Sequence, residues 1–117
     1  MPFTLVWLEE STNTFRDLEA AAQKALDNRQ KFNKAKASTQ EGLFKQVVKC
    51  VELLQANPRH LGLKTHEYNS IDNPYDPDMK VFEAYVQNRT PGAYRIFWCY
   101  GPKKSEITII AITSHPS

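Results

Sequence analysis

Val81-Phe82-Glu83-Ala84-Tyr85-Val86-Gln87, Ala93-Tyr94-Arg95-Ile96-Phe97-Trp98-Cys99-Tyr100 and Ile107-Thr108-Ile109-Ile110-Ala111-Ile112-Thr113 succeed one another in the last third of the chain. Each is a strand-length run rich in β-branched and aromatic residues. Between them lie Asn88-Arg89-Thr90-Pro91-Gly92 and Gly101-Pro102-Lys103-Lys104-Ser105, both composed of turn formers. Such spacing predicts three consecutive antiparallel strands. Just upstream, residues 67–79 carry Asn73-Pro74 and Asp76-Pro77 with Asp72 and Asp78 nearby, and read as a loop. Too few residues follow that loop for a second core, so it does not divide domains.

Further upstream the apolar period changes from two to about 3.6. Leu43, Phe44, Val47, Val48, Val51 and Leu54 form one helical stripe. Ser38-Thr39-Gln40-Glu41 fits the Ser-x-x-Glu capping box at its start, and Asn57-Pro58 stops it. Phe15, Leu18, Ala22, Ala25 and Leu26 mark an earlier helix that fades near Asn33. Thr14 with Asp17 is its predicted cap. Phe3-Thr4-Leu5-Val6-Trp7-Leu8 reads as an opening strand. The expected architecture is α+β in the order β-α-α-β-β-β, with a helical hairpin packed on one sheet and residues 1–117 forming a single domain.

Composition agrees with that reading. The 117 residues are 41% hydrophobic and 24% charged, the balance of one small globular domain. No apolar stretch approaches the ~20 residues of a membrane-spanning helix. Met1-Pro2-Phe3-Thr4-Leu5 lacks the features of a secretory signal, so a cytoplasmic location is expected and a membrane partner is not. Cys50 and Cys99, each among apolar neighbours, read as small buried hydrophobes. The net charge of +2 is unevenly placed. Nine basic residues lie between Lys24 and Lys64 against only Asp27, Glu41 and Glu52. A basic helical region of this kind is either a solvated face or an attraction for nucleic acid or an acidic partner.

Several residues stand out chemically. Arg95 interrupts an apolar strand, where strand alternation points it with Phe97 and Cys99 and away from Tyr94, Ile96 and Trp98. A charge there needs a reason, either a functional role or an ion pair with Glu83 on the neighbouring strand. Glu83 and Tyr85 share one face of their strand. His60, His66 and His115 match no familiar metal-ligand spacing, so no metal is expected. No Gly-rich phosphate loop is present.

Val81 to Asn88, the segment Gly92-Ala93-Tyr94-Arg95-Ile96-Phe97-Trp98 and Ile107 to Ile112 together resemble the RelE/ParE superfamily, small toxins of bacterial type II toxin–antitoxin systems. The Gly-x-Tyr-Arg strand is the most specific part. Leu53-Leu54-Gln55-Ala56-Asn57-Pro58 followed by Leu61-Gly62-Leu63-Lys64 is similar to the family's passage from second helix to sheet. The resemblance implies a metal-independent, cofactor-free, ribosome-dependent mRNA endonuclease that a cognate antitoxin neutralises. In that reaction a 2′-hydroxyl attacks the adjacent phosphate, and a cyclic phosphate and a free 5′-hydroxyl result. Arg95 is then the candidate for stabilising the phosphorane charge, His115 for the general acid and Glu83 for the base. Tyr85 offers a stacking surface, and Lys80, Lys64 and Arg89 are candidate phosphate contacts. Many RelE-like nucleases carry basic residues on the strand that holds Glu83; this chain carries none there. That departure keeps two alternatives open: a ParE-like inhibitor of DNA gyrase acting by protein contact, and an inactive RelE-fold binding module.

Overall fold

The computed structural model describes residues 2–34, 36–88 and 91–114. β1 (Thr4–Trp7) leads into α1 (Glu9–Lys31), and α2 (Thr39–Ala56) returns beside it. A short 3-10 turn at Leu61–Leu63 precedes β2 (His66–Glu67), β3 (Phe82–Tyr85), β4 (Tyr94–Tyr100) and β5 (Glu106–Ser114). The five strands form one mixed sheet in the order β1-β5-β4-β3-β2. β3, β4 and β5 are the expected meander, while β1 runs parallel to β5 along its outer side. The two-residue β2, not foreseen in the sequence, closes the opposite edge against β3.

Both helix starts have a local cause. Ser38 accepts a hydrogen bond on its hydroxyl from the Glu41 amide at 3.1 Å, and the Glu41 carboxylate accepts from the Ser38 amide at 2.7 Å. The expected capping box is therefore built, and Arg29 on α1 grips the same carboxylate at 2.9 Å. The Arg29 guanidinium first, and the Ser38 amide second, hold the Glu41 carboxyl down at about 2. α1 begins five residues before the predicted Thr14 cap, directly after β1. Ser11 supplies the missing cap from inside the helix, its hydroxyl accepting from the Leu8 amide at 3.1 Å. Thr14 instead donates to the Glu10 carbonyl one turn back, at 3.0 Å, as a helix-interior residue does. Asn33, in the left-handed region at φ 54, ends α1 where the sequence predicted.

The sheet has two covered faces. On one, Ile96, Trp98, Ile107, Ile109 and Ile112 pack against Val47, Cys50 and Leu54 of α2. Val47 and Leu54 have no exposed surface, and each such burial stabilises by roughly 1.5–3 kcal/mol. On the other face Phe97, Cys99, Ile110 and Ala111 lie beneath Tyr68 and Ile71 from the segment between β2 and β3. That segment, predicted as a loop, is thus a cover as well. Its Tyr68 ring sits 4.6 Å from the Phe97 ring, and the Tyr75 hydroxyl shares a 2.7 Å hydrogen bond with Thr108. The register shifts between Phe97 and Trp98, where Ile110 is the extra residue of β5. This bulge keeps Ile109 and Ile107 on the helical face while turning Ile110 to the other.

Candidate functional site

The loop covers only part of the outer face. Beyond it, near the ends of β3 and β4, Glu83, Tyr85 and Arg95 share the face opposite the helices. Register explains the grouping: Tyr85 is paired with Arg95, and Glu83 with Phe97 two positions along. His66 on β2 is paired in turn with Glu83. Thr113 of β5 completes the row on the far side of Arg95.

Arg95 is only 8% exposed. Burying a guanidinium is expensive unless its charge and donors are answered. Its Cζ lies 3.7 Å from the centroid of the Tyr85 ring, a cation over a π face. Nη1 donates to the Gln87 carbonyl at 2.6 Å and to the Tyr94 carbonyl at 3.0 Å. Nε is buried and makes no hydrogen bond among the described residues. One edge of the fork is committed to backbone, and the rest of it is not.

Glu83 is fully buried. His66 Nε2 lies 2.6 Å from its Oε1, an ion pair when the imidazole is protonated. The His66 side chain remains 49% exposed. Its Nδ1 sits 3.3 Å from the Lys64 carbonyl oxygen, at the long end of hydrogen bonding. The imidazole also meets the Tyr85 ring edge-on, 5.7 Å between centroids. Tyr85 is therefore touched by the guanidinium and by the imidazole.

The other candidates are dispersed. Lys80 pairs with Glu67 at 2.9 Å on the exposed margin beside β2. Lys64 lines a cavity of about 400 Å³ with Arg59, His60, Phe82, Trp98 and Tyr100, on the helical side of the sheet. Its carbonyl reaches His66, but its side chain does not join the Arg95 group. Arg89 and His115 lie outside the described residues. The lysines of α2 belong to the hairpin, across the sheet from Arg95. Cys50 packs with the helical core and Cys99 with the outer one; both are free, their thiols pushed up by burial to about 12 and about 11.

Sequence reasoning missed the place of His66. Its signal was weak, because a two-residue strand has no periodicity to read, and only the β2–β3 register sets it on Glu83. Taken together, the group offers a fixed cation, an aromatic surface and an exposed imidazole backed by a carboxylate. Charge stabilisation, stacking and proton transfer are what such a set can do.

No protein-family model matches the sequence, and neither does any curated protein. Solved structures do. A YoeB/ParE toxin from Agrobacterium tumefaciens superimposes with a TM-score of 0.60 at 9% identity, covering 97% of this chain and 99% of that one. The chain has the RelE/ParE toxin fold. An archaeal RelE–RelB complex from Pyrococcus horikoshii OT3 agrees, with a TM-score of 0.54 and 10% identity over 97% of this chain and 96% of that one. At such identities the likeness is one of backbone. Among the described residues, no helix of this RelE/ParE fold is long and apolar enough to cross a membrane.

Proposed function

We propose that this protein is a RelE-like toxin: a metal-independent endonuclease that cuts mRNA on the ribosome and is neutralised by a cognate antitoxin, in the bacterial or archaeal cytoplasm. The observation that carries the reading is the Arg95 guanidinium, held on the Tyr85 ring at 3.7 Å on the sheet face opposite the helices. With Nη1 tied to two carbonyls and Nε buried, phosphate binding falls to Nη2 of the guanidinium. Negative charge developing on the phosphorane is the charge it would meet. Tyr85 is the nearest aromatic surface for a splayed base. Glu83 belongs to the base side of the reaction and His115 is the candidate acid; Lys80, Lys64 and Arg89 are candidate contacts along the RNA backbone. The RelE–RelB neighbour, solved as a complex, supports a protein antitoxin as partner.

A second reading has a specific observation in its favour. α1 and α2 leave between them an open groove of about 660 Å³, lined by Ala22, Leu26, Phe44 and Val48 and rimmed by Glu19, Lys45, Lys49 and Glu52. A ParE-like, non-catalytic inhibitor of gyrase, or an inactive binding module, would use such a surface and leave Arg95 a structural residue. A translation reaction with purified protein separates the readings. Wild type, Arg95→Ala and His115→Ala are added to ribosomes on a defined message, and new RNA ends are mapped. Cleavage in the ribosomal A site by wild type alone is the expected result. Intact message with wild type would remove the nuclease reading.

A further inference from the structure

We infer that His66 is the residue that takes the proton from the attacking hydroxyl, and that Glu83 is its positioning residue rather than the base itself. The inference rests on the nuclease reading above and names a proton acceptor within it. Exposure separates the two roles. Glu83 has no exposed surface, so an RNA hydroxyl cannot reach its carboxylate without dismantling β3. The His66 side chain is 49% exposed and lies 2.6 Å from that carboxylate. A base must come within hydrogen-bonding reach of the proton it removes, and of the pair only the imidazole can.

The contacts also orient the ring. In the tautomer protonated at Nε2, the nitrogen 2.6 Å from the carboxylate oxygen, Nδ1 is the basic nitrogen. Nδ1 is 3.3 Å from the Lys64 carbonyl, which in that tautomer takes no hydrogen bond from it and so leaves the nitrogen's lone pair to a substrate hydroxyl. In the step, the 2′-hydroxyl proton passes to Nδ1 and the oxygen's electron pair forms the P–O2′ bond. The P–O5′ pair leaves with the 5′ oxygen, which takes a proton from the acid, assigned above to His115. Once Nδ1 is protonated, both ring nitrogens have acceptors already in place: Glu83 for Nε2 and the Lys64 carbonyl for Nδ1. The Tyr85 ring, touched by His66 edge-on and by Arg95 on its face, ties proton acceptor and phosphate cation to one support.

Three single variants and one double test this in the translation reaction, each with its ribosome affinity and thermal midpoint measured alongside. His66→Ala removes an exposed ring and is expected to lower the single-turnover cleavage rate by about 100- to 10,000-fold with ribosome affinity unchanged. Added imidazole is expected to restore part of that rate to His66→Ala and none to Arg95→Ala. Glu83→Gln is expected to lower the rate as well, and to add no further loss when combined with His66→Ala, since it acts through the imidazole. A Glu83→Gln loss that adds in full to that of His66→Ala would overturn the positioning role. His66→Ala cutting within about threefold of wild type, or losing a rate that imidazole does not restore, would overturn the proton-acceptor role while the nuclease reading stood. Wild type leaving the message intact would overturn the nuclease reading and this inference together.

Discussion

Tyr85 and Arg95 are direct partners across β3 and β4, and the guanidinium carbon of Arg95 lies 3.7 Å from the centre of the Tyr85 ring. That contact explains how a nearly buried cation persists in a strand whose neighbours are Ile96, Phe97 and Trp98. Two backbone carbonyls take the Nη1 donors, and the ring face meets the charge that they leave. The same arrangement fixes the guanidinium in place before any ligand arrives, which is the condition for electrostatic stabilisation without reorganisation.

Tyr85→Phe keeps the ring and so keeps its support of Arg95. Its unfolding free energy should stay within about 0.5 kcal/mol of wild type. Tyr85→Ala removes both the cation–π contact and the packing of the ring, and should cost about 1–3 kcal/mol in urea unfolding. Equal stabilities for the two variants would show that the ring does not hold the guanidinium.

Ser11 joins α1 to the sheet. Its hydroxyl is fully buried, donates to the Ile109 carbonyl at 2.7 Å and accepts from the Leu8 amide. Ser11→Ala leaves the Leu8 amide and the Ile109 carbonyl only their long 3.5 Å contact with each other and should destabilise by about 1–3 kcal/mol. Chemical denaturation measures it, and a change near zero would mean that the helix start does not depend on this hydroxyl.

Glu41 makes stability pH-dependent in a defined window. Its folded-state carboxyl, lowered from 4.5 to about 2 by Arg29 and then by the Ser38 amide, favours the ionised form in the fold. The stabilisation is therefore full above pH 4.5 and is lost as the pH falls towards 2. Glu41→Gln should be less stable than wild type at neutral pH, and the gap should narrow through that window. Parallel stability curves for the two proteins between neutrality and pH 2 would contradict the assignment.

Cys50 and Cys99 should be silent to thiol reagents in the native protein. Burial raises their thiols to about 12 and about 11, so the reactive thiolate is scarce at neutral pH. Both should react once the chain is unfolded in denaturant. Rapid labelling of either under native conditions would indicate that its side of the core opens easily.

Much of this fold could be read because its devices are local. Ser38 and Glu41 are three residues apart and build the cap that their spacing predicts, and the alternation around Arg95 places it with Phe97 and Cys99. The start of α1 was misplaced because its cap is Ser11 inside the helix, reaching back to an apolar Leu8, so no polar residue stands where one is sought. Tyr68 and Ile71 looked like loop residues since nothing in a turn-rich segment reveals that it lies across a sheet. The His66–Glu83 pair depends on the register of a two-residue edge strand, information held in the tertiary structure alone. The site was legible where it lay on one strand and illegible where it joined two.

If RNA is cut by attack of its own 2′-hydroxyl, with Arg95 opposite the phosphate, the fragments record it. The chemistry of the cleaved ends tests it most directly. Message cut in the translation reaction should carry a 2′,3′-cyclic phosphate on the upstream fragment and a free 5′-hydroxyl on the downstream one, and Arg95→Ala should yield neither. Uncut message, or downstream ends bearing a 5′-phosphate, would rule out 2′-hydroxyl attack by this protein.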